Sequence, residues 1–196
     1  MNSKFRLNIT ENQHAELYHH LFPGDGLEAA AILLCTHTDK SKNRYIVKSI
    51  VAVEHSACKV RTKDQLSWPG LAIEDAIDEA ESEQLSLILI HSHPGGLFGF
   101  SHIDDESDAL VMGGIFEAFE SKTIHHGSAI MTPDGAILAR MYNCGMECEM
   151  FQFVMCAGND IRIWRNADNI STPTMAFSSQ MRRELNDLTA CVIGVS

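Results

Sequence analysis

Hydrophobic positions along the chain switch repeatedly between a period of two and a period near three and a half. Residues 4–10 alternate and predict a short opening strand, while residues 11–22 place Leu17, Tyr18 and Leu21 on one helical face. Pro-Gly-Asp-Gly at 23–26 stops that helix. EAAAILLCT (28–36) is a short apolar run bounded by polar residues, the pattern of a buried strand. RYIVKSIVAVE (44–54), rich in β-branched residues, predicts its partner across the loop HTDKSKN. A turn-rich stretch (55–70) leads to a helix with Ile73, Ala76, Ile77 and Ala80 on one face and acidic residues opposite. LSLILIHSH (85–93) is the most strand-like run of the chain. Residues 104–120 predict a helix that turns Met112, Ile115, Phe116 and Phe119 inward. GSAIMT and AILARMY flank Thr-Pro-Asp-Gly (132–135), a tight-turn signature, and predict a hairpin. MFQFVMCA and DIRIW predict two more strands.

This order predicts an α+β domain over residues 1–165, a mixed β-sheet flanked by helices. Residues 166–196 read differently. RNADNISTPTMAFSSQ is polar and linker-like, QMRRELNDL predicts a short helix, and TACVIGVS is a buried-strand pattern.

Composition narrows the function. With 45% hydrophobic residues among 196, the chain has enough for a proper core. A net charge of −11 with no block of Lys and Arg argues against nucleic acid as a partner, since that affinity comes largely from basic side chains on phosphates. A partner with a basic or neutral surface fits better. No apolar run approaches the roughly 20 residues that span a bilayer, so no membrane association is expected. Six scattered cysteines without a Cys-x-x-Cys pair suit reduced thiols in the cytoplasm. Cys144 and Cys148, lacking a second pair, are a weak metal signal.

The chemistry concentrates in HSHPGGLFGFSHID (91–104). In an extended chain His91 and His93 share a face and Ser92 points away. Pro94 blocks further laddering, and Gly95, Gly96 and Gly99 allow a tight loop. Ser101 opens the next helix and puts Asp104 in its first turn. Ser-x-x-Asp is also the spacing of a capping box, in which the two side chains satisfy exposed helix donors. As ligands, two imidazoles and one carboxylate leave a fourth tetrahedral position for water, as in catalytic zinc sites.

His-Ser-His-Pro, a short spacer and Ser-x-x-Asp resemble the signature of the JAMM/MPN+ metalloproteases, the JAB domain, and every fixed position is present. The order of elements matches over about residues 5–142. The resemblance implies an MPN/JAB fold of the cytidine-deaminase-like type, with Zn2+ held by His91, His93 and Asp104. In GDGLEAAAILLC, Glu28 occupies the place of the family's general base, and Ser101 that of the residue helping to stabilise the oxyanion. The implied reaction is peptide or isopeptide cleavage after the C-terminal tail of a ubiquitin-like protein or its conjugates. The loop at 55–70, with Trp68 as an aromatic contact or a core plug, and the Gly-rich loop at 95–100 would flank the cleft. His102 reads as a surface or outer residue, and His55, His125 and His126 as structural or exposed.

QMRRELNDLTACVIGVS resembles the entry to a ThiF-type adenylation domain, with Gly194 as the first glycine of its nucleotide turn. Residues 166–196 are therefore expected to be a linker and the truncated start of such a domain. JAB–ThiF fusions occur in bacterial ubiquitin-like conjugation systems linked to phage defence, which would make activating and conjugating enzymes partners. Three other readings stand beside this one. They are a non-catalytic MPN scaffold, a RadC-like protein, and a hydrolase of a sulfur-carrier precursor or small cysteine conjugate.

Overall fold

Two core strands organise the molecule. In this computed structural model, residues 5–39, 43–166 and 174–175 are described. The chain begins β1 (Arg6–Thr10), α1 (Glu11–Leu21), β2 (Ala30–Asp39) and β3 (Arg44–Ala52). A 3-10 turn (His55–Ala57) leads to the small hairpin β4 (Val60–Arg61) and β5 (Leu66–Ser67), then α2 (Leu71–Glu83). Next come β6 (Ser86–Ser92), α3 (His102–Ala118), β7 (His126–Met131) and β8 (Ile137–Tyr142). The described chain finishes with β9 (Cys148–Met150), β10 (Phe153–Ala157), β11 (Ile161–Arg165) and β12 (Thr174–Met175).

The ten-stranded sheet has the order β12-β11-β10-β1-β3-β2-β6-β7-β8-β9, with β4 and β5 pairing only with each other. It is mixed: β1 runs parallel to both β3 and β10, and β6 runs parallel to β7, while the other pairs are antiparallel. The α+β class read from the sequence is the observed one.

Side-chain alternation divides the core in two. Ala31, Leu33 and Cys35 of β2, with Ile88 and Ile90 of β6, pack under Leu17 and Leu21 of α1. Ile32 and Leu34, with Leu87 and Leu89, face α2 and α3 and meet Ala76, Ala80, Met112, Ile115, Phe116 and Phe119. Central strands buried on both faces carry no polar alternation, so β2 and β6 read as continuous apolar runs. Gln13 and Thr10 close a capping box at the start of α1, and α2 ends on Gln84 in the left-handed region at φ 57°.

One predicted strand is broken in two. MFQFVMCA is interrupted at Phe151 and Gln152, where Phe151 N–H donates to Ala139 O and Gln152 N–H to Phe5 O. The chain thereby leaves the β8–β9 edge and joins β1, which curls the sheet. Phe151 is fully buried and packs against Phe5 and Tyr45 at ring-centroid distances of 5.9 and 5.7 Å. A continuous apolar run does not reveal such a crossing, because the residue at the break is as apolar as those in the strands. Thr174 and Met175 pair with β11 inside the stretch that reads as linker. The helix and strand expected after residue 180, with Gly194, lie outside the described residues.

Candidate metal centre

The parity of β6 sets the site. Leu85, Leu87 and Leu89 point toward α2 and α3, so the next odd positions, His91 and His93, point the same way at the strand end. His93 N–H donates to Met131 O at 2.8 Å, which carries the pairing with β7 one residue past β6. Beyond Pro94 the chain turns back, with Gly96 N–H donating to His93 O at 2.9 Å. Of the three loop glycines only Gly96 uses the left-handed region, at φ 80°.

Ser101 caps α3. Its Oγ accepts from Asp104 N–H at 3.2 Å, and Asp104 Oδ2 accepts from Ser101 N–H at 2.6 Å. The capping reading of Ser-x-x-Asp is the observed one, and it leaves the ligand reading open. The same carboxylate that closes the capping box faces the histidines, with Oδ1 3.0 Å from His91 Nε2 and Oδ2 3.4 Å from His93 Nε2. The two Nε2 atoms lie 3.0 Å apart.

This geometry fits a tetrahedral cation. Ligand bonds of about 2.1 Å at tetrahedral angles separate ligand atoms by about 3.4 Å, close to the triangle observed. His93 Nδ1 lies 2.9 Å from Leu97 O, an atom that only accepts, so Nδ1 carries the proton and Nε2 presents its lone pair. His91 Nε2, 3.0 Å away, faces that lone pair, so either a proton on His91 or a cation fits between the two rings. Among the described residues this is the one group of His, Cys, Asp and Glu side chains so arranged. Cys144 and Cys148 are exposed free thiols outside it.

The electrostatics point the same way. Burial acts to hold the Asp104 carboxyl up, but the facing imidazoles of His91 and His93 and the hydrogen bond from Ser101 N–H bring it well below the usual carboxylate range. Burial acts to lower His93, but Asp104 and the Leu97 carbonyl favour its protonated form, outweigh burial and raise its pKa. The three side chains thus favour positive charge between them.

Glu28 is buried at the mouth of the same cleft, two residues before Ala30, which pairs with His91. Burial pushes its carboxyl upward against the pull of His91 and His93. Two backbone contacts place it: Glu28 N–H donates to Thr62 O of the β4–β5 hairpin, and Ala29 N–H donates to Ser92 Oγ at 2.9 Å. Ser101 lines the cleft too, and its hydroxyl hydrogen has no acceptor among the described residues.

The cleft encloses about 430 Å3. The hairpin residues Leu66 and Ser67, Trp68 after them, and Gly95 and Leu97 of the motif loop form its walls. Trp68 both lines the cleft and packs on the second core. The other histidines keep clear. The His102 side chain is 83% exposed beside Glu106. His55 stacks on His20, His125 packs against Phe5, and His126 is fully buried against Phe116 and Phe119.

Sequence reasoning passed over two features. Ser92, read only as pointing away, holds the segment bearing Glu28. Asp108 and Ser128, at the cleft floor, belong to a buried polar cluster with Arg140 and Tyr142. The available signal was an arginine inside the otherwise apolar run AILARMY.

Residues 10–166 match the model of a family described as prokaryotic homologs of the JAB domain. Among solved structures, the solution structure of protein DSY2949 from Desulfitobacterium hafniense is similar at TM-score 0.52 and 12% identity. The match covers 84% of this chain and 98% of that one. At such identity the likeness is one of fold alone. Comparison with curated proteins finds no match.

Proposed function

The chain belongs to the family of prokaryotic homologs of the JAB domain, and from that premise we propose that it is a zinc-dependent peptidase or isopeptidase. Its substrate would be a ubiquitin-like protein, cut after the C-terminal tail in precursor processing or deconjugation. The family includes JAMM metallopeptidases as well as inactive members. What supports activity here is the convergence of His91, His93 and Asp104 beside a buried glutamate in one cleft.

His91, His93 and Asp104 would hold the ion. Zinc so bound lowers the pKa of its water to about 7 and polarises a carbonyl. Glu28, with its proton affinity raised by burial, is suited to take a proton from the attacking water and return it to the departing amine. The Ser101 hydroxyl is free to donate to a developing oxyanion. A narrow cleft beside a short hairpin suits an extended tail of small residues bound partly through its main chain. The acidic balance of the chain suits a partner with a basic face. Activating and conjugating enzymes of the same system are the further partners of this reading.

The test pairs metal content with cleavage of a ubiquitin-like fusion in the native chain, Glu28→Ala and His93→Ala. We expect one zinc per native chain and turnover only there. Glu28→Ala should keep the zinc, and His93→Ala should lose it while staying folded. A native chain that binds zinc but cleaves no ubiquitin-like fusion would instead support a scaffold role. Full activity in Glu28→Ala would remove the glutamate from its assigned part.

A further inference from the structure

Asp104 stands on the first turn of α3, whereas the two histidines belong to β6, so the site exists only while helix and sheet keep one spacing. A single side chain grips the chain on both sides of Asp104. Arg140, on β8 and 6% exposed, points to the same face of the sheet as Leu138 and Tyr142 and meets α3 from below. Its Nε donates to Asp108 Oδ2 at 2.9 Å and to Ser128 Oγ at 3.0 Å, and Nη2 lies 2.7 Å from the same Asp108 oxygen. Nη1 bonds Asp105 Oδ1. The guanidinium carbon sits 3.8 Å over the Phe100 ring.

The positions of these partners matter more than their number. Phe100 immediately precedes Ser101, Asp105 immediately follows Asp104, and Asp108 lies one turn further on. Arg140 therefore fastens the loop before the capping box and the helix after it to β8. Tyr142 donates to Asp108 Oδ2 at 3.0 Å and Ser128 Oγ–H donates to the same atom, so β7 and β8 both help hold this helix carboxylate. A planar fork that binds two carboxylates and stacks on a ring is beyond what an ammonium can reproduce.

From this arrangement we infer that Arg140 is a positioning residue for the metal site, setting Asp104 against His91 and His93 through Asp105, Asp108 and Phe100. The inference rests on the metal reading above. Groups behind the ligands typically change metal affinity by about 10–100-fold when removed.

Zinc affinity by chelator competition, the visible spectrum of the cobalt-substituted protein and the melting temperature of the metal-free protein test it on the full chain. Arg140→Lys keeps the charge but loses the fork. Phe100→Leu removes the ring face without leaving a charge unpaired. Arg140→Met with Asp108→Asn removes the buried pair together, which guards against misfolding. Arg61→Lys, across the cleft and paired with Asp25, reports any nonspecific loss of stability.

Arg140→Lys and the double variant should stay folded, bind zinc about tenfold or more weakly, and alter the cobalt bands. Phe100→Leu should show a smaller change in the same direction, and Arg61→Lys none. Affinities within twofold of native and unchanged cobalt bands in the folded variants would overturn the positioning role alone. A native chain that binds no zinc would overturn the metal reading and this inference together.

Discussion

Replacing Ser92 by alanine tests how the Glu28 segment is held. Ser92 has no exposed surface, and its Oγ accepts the Ala29 N–H at 2.9 Å. The substitution removes the acceptor and leaves a buried amide unpaired, which costs about 1–3 kcal/mol. In a domain of this size each kcal/mol lowers the melting temperature by roughly 2–4 °C. The metal-free variant should therefore melt about 2–12 °C lower, a range set by those two factors. Ser56, exposed on the 3-10 turn, is the control, and Ser56→Ala should shift stability by no more than about 0.5 kcal/mol. Scanning calorimetry on both variants measures the difference directly. Zinc affinity should survive in Ser92→Ala because the histidines keep their strand, while turnover should fall as Glu28 loses its register. A melting point equal to that of the control would refute the claim that this hydroxyl fastens Glu28 to β6.

Other outcomes follow from single contacts. Burial among aromatic rings lowers the pKa of His126 to about 3 from 6.5. The neutral ring therefore contributes stability that is complete above pH 6.5 and is lost as the pH falls toward 3. In His126→Asn, which retains an acceptor for Leu87 N–H, the loss between pH 6 and 4 should be shallower by up to about 1.4 kcal/mol per pH unit. Urea titrations at each pH decide it, and equal slopes would contradict the burial argument. A Cβ at Gly127 would lie 2.2 Å from Arg140 O, so Gly127→Ala should destabilise by about 1–3 kcal/mol or more. Gly114 on α3 has open space around its Cβ position, and Gly114→Ala should stabilise by about 0.4–1 kcal/mol. Equal melting points for these two variants would refute the packing argument. Zinc should raise the melting temperature more at pH 8 than at pH 6, because the ligands bind it deprotonated; a pH-independent shift would speak against histidine ligation.

Much of the site was legible because its rules are local. Alternation put His91 and His93 on one face, and Ser-x-x-Asp announced a helix start; both depend on neighbours a few residues apart. The same local reading offered capping and ligation as alternatives for Asp104, and only the folded chain showed that the capping carboxylate also faces the two histidines. Arg140 was invisible as a contributor, since its partners at 100, 105 and 108 are distant in sequence and meet it only where the helix and the loop before it pack on the sheet.

By itself the sequence determined the order of most strands and helices, which sides they bury, and which three side chains could hold a cation, since backbone stereochemistry and hydrophobic period act over short range. The tertiary structure alone decided that β1 lies between β3 and β10, that Phe151 and Gln152 carry the chain across the sheet, and that α3 covers the face to which His91 and His93 point. Those choices depend on which buried surfaces fit together once the chain has closed, and that fit is a property of the packed molecule, with no counterpart in any short stretch of it.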